Sequence, residues 1–482
     1  MHIRPILLAL GMMTLFLGVA MIPSALIDIV DDQESWAIFM LSAFSSIFLG
    51  VVMVLLSGRE PGRNHPKEAF LLTVLLWVLL PAIGGLPFML AGYSFTDSLF
   101  ESISGLTTTG ATVFSGLDSL PRGILLWRAI LQWIGGIGII VTAIAIFPML
   151  RVGGMQLFQL ESSDVSGKFL PRVSEIAAQT GLVYLVLSIA CGLLYSAQGM
   201  DTFDSIAHAM TTMSAGGFST HDDGFAYFGY GVNAVAIVFM ILASLPFAAF
   251  VMLARGNPKP FLRDSQPRVF LGIILISIVI LLLYNEYGGG TAIFYDRADA
   301  LWATSFSVVA TITGTGFTNE NYIFWGPGAT AMMLILMFLG GCAGSAACGL
   351  KIFRLEITFR TLLAHVKRMT SPNRIVPVRY NGRIVPDDTI QSVLVFVFLY
   401  LVSFVITAIL LSLTGLNALT AISGAASSIS NVGPALGQIL GPFGGYQNLP
   451  ETAKWICAVA MLLGRLEFIA VFVVLTPRFW RG

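Results

Sequence analysis

The chain carries little charge. Only 11% of its 482 residues are Asp, Glu, Lys or Arg, whereas a soluble domain has about 25%. Hydrophobic residues make up 56% of the chain, and its mean hydropathy is +0.84. This composition excludes a water-soluble globular protein, because too little polar surface is available to cover it. It predicts an all-α polytopic membrane protein surrounded by lipid.

The sequence also lacks a net charge and any recognisable catalytic or metal-binding pattern. Its 26 basic and 26 acidic residues cancel, so its charge indicates no nucleic-acid partner. The four cysteines, Cys191, Cys342, Cys348 and Cys457, have neither metal-ligand spacing nor the spacing of a disulfide framework. No phosphate-binding glycine loop or Ser–His–Asp arrangement occurs. We therefore expect no enzyme and no organic cofactor.

What the chain does contain is one pattern of fourteen residues, present four times without a gap. Its tenth residue is large and apolar, its eleventh carries a hydroxyl group and its fourteenth is glycine. The copies are DSLFESISGLTTTG (97–110), DSIAHAMTTMSAGG (204–217), ATSFSVVATITGTG (303–316) and TAISGAASSISNVG (420–433).

Each copy begins as a helix too short to cross a membrane. About 10 helical residues span ~15 Å, whereas the hydrocarbon core is ~30 Å thick. The segment must therefore enter and return on the same side, and its irregular end must line a cavity. Ten apolar spans are predicted around the copies, near 5–29, 36–56, 68–92, 121–150, 173–198, 229–254, 267–287, 327–350, 390–414 and 453–476.

The chain divides into an extra N-terminal helix pair and four units of span, pore helix and span. The predicted divisions are 1–60 for the pair, then 61–160, 161–262, 263–386 with a cytoplasmic segment, and 387–482. Because every unit has two spans, the four units are parallel repeats around a pseudo-fourfold pore.

The basic residues predict the orientation of the chain. With a cytoplasmic N-terminus, all but five of the 26 Lys and Arg residues fall on the cytoplasmic side, as the positive-inside rule requires. Both termini are then cytoplasmic and the four glycine loops lie on the outer side. The exceptions are Arg122, Arg128, Arg297, Lys454 and Arg465.

The loops suit a selectivity filter made of backbone carbonyls. A cation that sheds water needs replacement oxygens, and glycine reaches the left-handed conformation without steric penalty. Taken singly, each loop is better explained by close helix packing, but four ungapped copies favour the filter. The predicted filter residues are Thr107, Thr108, Thr109, Gly110, Ser214, Ala215, Gly216, Gly217, Thr313, Gly314, Thr315, Gly316, Ser430, Asn431, Val432 and Gly433.

Two features of the second half predict a gate. GGCAGSAACG (340–349) interrupts a span with four glycines, each destabilising a helix by ~1 kcal/mol. Arg465 lies near the middle of the last span, where a charge costs ~2.5–3.5 kcal/mol unless it faces a cavity or a partner. The alternatives are a tight packing face and a buried ion pair. The predicted gate residues are Gly340, Gly341, Gly344, Ser345, Gly349 and Arg465.

The repeats resemble the superfamily of K⁺ transporters that includes bacterial TrkH and KtrB and plant HKT proteins, and the length is TrkH-like. The resemblance implies K⁺ uptake across the bacterial inner membrane, with K⁺ on the filter carbonyls as transported ion. Gly110, where some plant members have serine, implies K⁺ permeation. It further implies an intramembrane gating loop at 340–349 with Arg465 below the filter, a homodimer, and a cytosolic TrkA-type nucleotide-binding regulatory ring.

Two other functions stay open at this point. One is a secondary symporter coupled to Na⁺ or H⁺, with the loops as its binding site. The other is a membrane enzyme using Glu101, His208 and Glu467, although these residues share no motif.

Four polar side chains of the copies and their surroundings carry further expectations. Asp97 and Asp204 are predicted helix N-caps, with Glu101 and Asp118 as possible companions in attracting cations to the outer mouth. His208 is expected to face the core.

Overall fold

The computed structural model describes residues 3–58, 66–143, 169–287, 296–371, 373–466 and 468–481. Its helices include seven that are long and apolar enough to cross a membrane, and a bent helix pair raises the number to eight. The predicted all-α polytopic membrane protein is thereby confirmed.

The N-terminal pair consists of a broken first helix and a continuous second one. Ile3–Ala20 continues as Ile22–Val30 and packs along Trp36–Ser57. A Cβ on Gly50 would lie 2.8 Å from the backbone nitrogen of Leu15. The small residue therefore lets the two helices approach closely.

Each repeat contains a first span, a short half-helix that leads into a glycine loop, and a second span. The elements of the first repeat are Pro66–Gly84, Leu86–Leu90, Phe95–Leu106 and Arg122–Val141. Those of the second are Phe169–Ala197, Thr202–Met213, Tyr230–Ala243 and Phe247–Ala254, followed by Lys259–Arg263.

The third repeat contains Ser265–Tyr287, Arg297–Ile312 and Pro327–Phe338. The segment after it forms the helix Ile352–Thr370 and a small antiparallel hairpin, Arg379–Tyr380 with Arg383–Ile384. The fourth repeat contains Asp387–Leu413, Ala418–Ser430, Glu451–Arg465 and Ile469–Leu475, and Pro477–Arg481 follows it. A short 3₁₀ turn follows each loop: Leu117–Ser119, Gly224–Tyr227, Tyr322–Trp325 and Tyr446–Asn448.

Two predicted spans, 229–254 and 453–476, are broken where the sequence analysis predicted continuous helices, whereas 327–350 ends as a helix before the glycine-rich segment, as predicted. The span 229–254 bends by 94° between Ala243 and Phe247, where Pro246 cannot donate a backbone hydrogen bond. The span 327–350 ends as a helix at Phe338, before the glycine-rich segment. The span 453–476 ends at Arg465 and resumes at Ile469.

Parts of the predicted organisation fall on residues outside the described ranges. These are the end of the predicted span 121–150, from 144 onward, and the divisions after residues 60 and 160. The division after 262 falls within Lys259–Arg263, and the division after 386 immediately precedes Asp387–Leu413. The assignment of residues to repeats therefore stays a prediction.

Asp97 and Asp204 are not N-caps, and that prediction was wrong. The caps are Ser94 and Asp201, whose side chains accept a hydrogen bond from a backbone N–H in the first turn. Asp97 and Asp204 lie in that first turn, where a carboxylate interacts favourably with the helix dipole. In the third and fourth half-helices the caps are Asp296 and Asn417.

Candidate functional site

The four glycine loops form a closed ring. The glycine that ends each loop lies against a carbonyl oxygen of the next loop, that of the residue immediately before the shared glycine there. A Cβ on the glycine would collide with that oxygen. The fourth loop makes the same contact with the first, which closes the ring around one axis. The contacts are Gly110 with Gly216, Gly217 with Thr315, Gly316 with Val432, and Gly433 with Thr109.

Each loop contains two residues in the left-handed conformation. The shared glycines have φ values between +72° and +99°, as the sequence led us to expect. The residue two positions earlier is left-handed as well, at Thr108 (+52°), Ala215 (+52°), Gly314 (+71°) and Asn431 (+54°). A non-glycine residue there costs about 1–2 kcal/mol. Threonine and alanine give no sign of this conformation, and the sequence analysis missed it.

The loops use their amides for internal bonds, whereas most of their carbonyls have no donor among the described residues. In the first loop, the N–H groups of Thr108 and Thr109 donate to Gly105 and Ser104 of the half-helix, at 2.9 and 2.8 Å. Among the predicted filter residues, only the carbonyls of Gly216 and Gly433 accept hydrogen bonds from the described part of the chain. A buried carbonyl without a partner is costly, and a cation is the ligand that it suits.

Side-chain hydroxyls hold the loops in shape. Thr107 Oγ1 donates to the half-helix carbonyl of Ile103 and lies 2.7 Å from Thr109 Oγ1. The third loop repeats the arrangement with Thr313 and Thr315, whose Oγ1 atoms are 2.9 Å apart. These two pairs of hydroxyls therefore brace each loop from within its own repeat.

A bond between side chains joins the fourth loop to the first. Asn431 Nδ2 donates to Thr109 Oγ1 over 2.8 Å. It also donates to the carbonyl of Met461, in the second span of the fourth repeat.

The second span of the first repeat supports the second loop. Gln132 Nε2 donates to the carbonyl of Gly216 over 2.6 Å, and Gln132 Oε1 accepts from the N–H of Phe218 over 3.0 Å. Arg128, one turn earlier, donates to the carbonyl of Ser219 over 2.9 Å. The sequence analysis missed Gln132, although a glutamine within an apolar predicted span was a usable signal.

Two acidic residues considered for the outer mouth are paired with basic ones. Glu101 is fully buried and forms an ion pair with Arg128 at 2.7 Å. Asp97 pairs with Lys454 at 2.6 Å. The expectation that Glu101 attracts cations is therefore wrong, because its charge is compensated inside the protein.

A cleft of about 600 Å³ lies between the N-terminal pair, the first repeat and the second half-helix. His221 lines it and contacts Asp118 of the first repeat and Asp204 of the second, the latter at 3.1 Å. Burial alone would lower the pKa of His221, but its hydrogen bonds to the two carboxylates outweigh burial and raise that pKa. The side chain of His221 therefore joins two repeats.

His208 faces the core, as we expected from the sequence. Its ring is buried, with Nδ1 2.9 Å from the carbonyl of Asp204 and Nε2 3.1 Å from Ser219 Oγ. It packs edge-on against Phe225. Its role is to connect the half-helix to the chain beyond the second loop.

The segment Gly340–Gly349 lies beneath the ring of loops. Cys348 Sγ is 3.8 Å from Thr108 Oγ1, and a Cβ on Gly314 would lie 3.6 Å from the Cys348 nitrogen. The segment is fixed to the break in the second repeat by three backbone bonds of 2.9 to 3.1 Å: Cys342 N–H to Ser244 O, Ala346 N–H to Ala243 O, and Phe247 N–H to Gly344 O.

Arg465 contacts this segment directly. It is buried and donates to Cys348 Sγ and to the carbonyl of Ala346, the latter over 3.5 Å. Its other terminal nitrogen donates to the carbonyl of Gly135 in the first repeat over 3.3 Å. Arg465 forms no ion pair with the described residues; Glu467 lies outside them. The two predicted gate elements are thus brought together.

These features define a polytopic membrane transport protein in which four parallel repeats surround one axis. A family model named TrkH, described as a cation transport protein, matches residues 36–481. The chain belongs to the TrkH family. Membership of this family classes it among transporters.

Individual relatives extend over the whole chain. The Trk system potassium uptake protein TrkI of Halomonas elongata is 37% identical over 481 residues, which cover 99% of this chain and 97% of that protein. The Trk system potassium uptake protein TrkH of Escherichia coli K12 is 34% identical, with full coverage of both. The crystal structure of the potassium transporter TrkH from Vibrio parahaemolyticus has a TM-score of 0.91 and 33% identity, again with full coverage. The resemblance and the fourfold repeat architecture are thereby confirmed.

Proposed function

We propose that this chain takes up K⁺ across the bacterial inner membrane through the ring of glycine loops. The observation that carries the proposal is the closed ring itself, in which buried carbonyls from four repeats surround one axis and most accept no hydrogen bond from the described residues. The relatives named as potassium uptake proteins support K⁺ as the ion. The distribution of basic residues supports cytoplasmic termini and an outward-facing ring.

The four loops act as the selectivity filter. K⁺ is bound by the backbone carbonyls of residues 107–110, 214–217, 313–316 and 430–433. The C-terminal ends of the four half-helices point toward the loops, so their dipoles favour a cation over an anion. No side chain with a full charge belongs to these loops, so the selection depends on the spacing of the oxygens.

The membrane potential drives uptake. It is worth ~2.3 kcal/mol per charge per 100 mV, and ~1.4 kcal/mol corresponds to a tenfold ratio. A potential of ~100 mV thus sustains roughly 50-fold accumulation of K⁺. The chain therefore needs no ATP hydrolysis of its own.

The segment Gly340–Gly349 gates the pore, with Arg465 holding it closed. The contacts of Cys348 with Thr108 and Gly314 support a position across the pore, on the side of the ring that the predicted topology makes the inner one. Opening requires it to move aside, and the loss of the Arg465 bonds favours that movement. Removing residues 343–347 should raise ion flux, and an unchanged or reduced flux in a folded variant would contradict the gate.

A homodimer bound to a cytosolic TrkA-type nucleotide-binding ring regulates this gate. The cytoplasmic segment from Ile352–Thr370 to the hairpin is basic and connects directly to residues 340–349. A partner bound there can therefore act on the gate through one short covalent link.

The test is ion flux through the purified chain in liposomes. With a K⁺ gradient and an imposed potential, we expect electrogenic K⁺ and Rb⁺ flux without a co-ion, raised by a TrkA-type partner with nucleotide. A flux that requires Na⁺ or H⁺ would replace the pore by the symporter. No cation flux with any partner or nucleotide would refute the proposal.

A further inference from the structure

The second loop differs from the others at the residue before the shared glycine. That position holds Thr109, Thr315 and Val432 in three loops but Gly216 in the second. Gly216 is not in the left-handed conformation, so conformational freedom does not explain it. A Cβ on Gly216 would lie 2.5 Å from Cδ and from Oε1 of Gln132. The side-chain amide of Gln132 therefore fills the space where this residue would carry its Cβ.

The same amide bonds to both sides of the shared glycine. Gln132 Nε2 donates to the carbonyl of Gly216, and Gln132 Oε1 accepts from the N–H of Phe218, at 2.6 and 3.0 Å. The two bonds fix the peptide groups that flank Gly217. Gln132 is fully buried, so water does not compete for either bond.

This contact makes one of four corresponding carbonyls in the ring different from the other three. The carbonyls of Thr109, Thr315 and Val432 accept no hydrogen bond from the described residues, whereas the carbonyl of Gly216 does. Its oxygen lies against Gly110, within the ring. A hydrogen bond restricts the movement of this oxygen and reduces the negative partial charge that it presents to a cation.

We propose that Gln132 is a specificity-determining residue that fixes the Gly216 carbonyl and thereby sets the preference of the pore for K⁺ over Na⁺. This inference rests on the proposed function. Gln132 acts through the loop, so it is a positioning residue. Na⁺ is smaller than K⁺ and needs the oxygens to move closer together. An oxygen held by Gln132 cannot follow, so the fixed ring favours the larger ion.

The helix that carries Gln132 is itself firmly placed. Arg128 precedes Gln132 by four residues and so shares its helical face. Arg128 donates to the carbonyl of Ser219, and its guanidinium lies 4.2 Å from the ring centre of Phe218. Its buried pairing with Glu101 ties this face to the first half-helix. The chain from Gly216 to Ser219 is thus held by one face of a neighbouring repeat.

The test compares Rb⁺ uptake, with K⁺ and Na⁺ as competitors, in proteoliposomes. Gln132→Leu removes both hydrogen bonds at similar volume, and we expect the preference for K⁺ over Na⁺ to fall about tenfold, or ~1.4 kcal/mol. Gln132→Met likewise removes both the amide donor and the amide acceptor at similar volume, so it should lose as much. Gly216→Ala displaces the amide and should have the same effect.

Trp133→Phe is the matched control on the same helix. It removes the 3.0 Å bond from Trp133 Nε1 to Ser188 Oγ, which joins two residues outside the glycine loops. Its selectivity should therefore equal that of the wild type. Wild-type selectivity in Gln132→Leu, at measurable uptake, would overturn the inference. If that variant does not fold, wild-type selectivity in Gln132→Met or Gly216→Ala would overturn it. Absent uptake by the wild type would instead refute the proposed function.

Discussion

Gly217→Ala tests whether the loops form a closed ring on which transport depends. Gly217 has φ +80°, and a Cβ there would collide with the carbonyl oxygen of Thr315 and lie 2.9 Å from its carbon. Both atoms belong to the backbone of the next loop, so neither can rotate away. Real Cβ atoms keep at least 3.0 Å from other heavy atoms, and the oxygen is the closer of the two, so the third loop would have to shift by roughly 1 Å or more.

Gly256→Ala is the matched control for backbone strain. Gly256 has φ +81°, and a Cβ there would meet no described atom within 4 Å. Both substitutions incur the left-handed penalty of about 1–2 kcal/mol. Only Gly217→Ala adds overpacking, typically about 1–3 kcal/mol. The difference between the two variants therefore isolates the contact between neighbouring loops.

The assay is Rb⁺ uptake by cells that lack other K⁺ uptake, with the membrane level of each variant measured in parallel. We expect Gly217→Ala to lose more than tenfold in uptake per molecule, and Gly256→Ala to lose less than twofold. Equal uptake by the two variants, at equal protein level, would refute the closed ring. Gly217→Ser should behave like Gly217→Ala, because any Cβ meets the same carbonyl.

Three further predictions concern the surroundings of the ring. Because the pKa of His221 is raised, its protonated form stabilises the fold below about pH 6.5, and this contribution is lost as pH rises through the folded-state pKa. The Tm difference between wild type and His221→Gln should therefore shrink from pH 6 to pH 9. A Tm difference that stays constant with pH would contradict this prediction. Glu101→Gln leaves the buried guanidinium of Arg128 uncompensated and should lower the unfolding free energy by about 3–5 kcal/mol. Lys454→Met should lower it less, because the partner carboxylate of Asp97 is partly exposed. A larger loss in Lys454→Met than in Glu101→Gln would contradict this ranking. Arg465→Ala removes two bonds to the gating segment and should raise K⁺ flux severalfold at an unchanged protein level, whereas wild-type flux would show that Arg465 does not hold the gate.

The repeated glycine was the sequence feature that predicted most of the site. A matched glycine in four short segments fixes the register, and register determines which residues meet. The alignment assigned Gly217, rather than Gly216, to the shared glycine position. The structure agrees, because of these two glycines only Gly217 is left-handed. What the pattern could not give was the reason for Gly216, which depends on Gln132, 84 positions earlier in the chain.

Helix breaks were predictable only where composition marked them. The four glycines of 340–349 indicated one break, and the helix does end at Phe338. The break at Ser244–Pro246 lay within an apolar run and was interpreted as part of a continuous span. At this break, the carbonyl of Ser244 accepts a hydrogen bond from the N–H of Cys342 in the gating segment. The bend therefore serves a long-range contact that no local pattern expresses.

The residues at the start of each half-helix show the same limit. Asp97 and Asp204 share one position in the repeat, and aspartate suits an N-cap. The structure assigns capping to Ser94 and Asp201, one turn earlier. This frees both aspartates for partners outside their helices, Lys454 for Asp97 and His221 for Asp204. A residue type alone did not distinguish a cap from an ion-pair partner in the first turn.

Closing the ring is the step that a chain of four repeats must solve at long range. Repeats that follow one another in sequence are covalently linked, but the fourth must return to the first. Lys454 and Asp97 pair across that boundary although 357 positions separate them, and Asn431 bonds to Thr109 in the same interface. Lys454 is one of five basic residues that the predicted topology places away from the cytoplasm. Its paired charge is neutralised locally, so this exception to the positive-inside rule is explained by the need to close the ring.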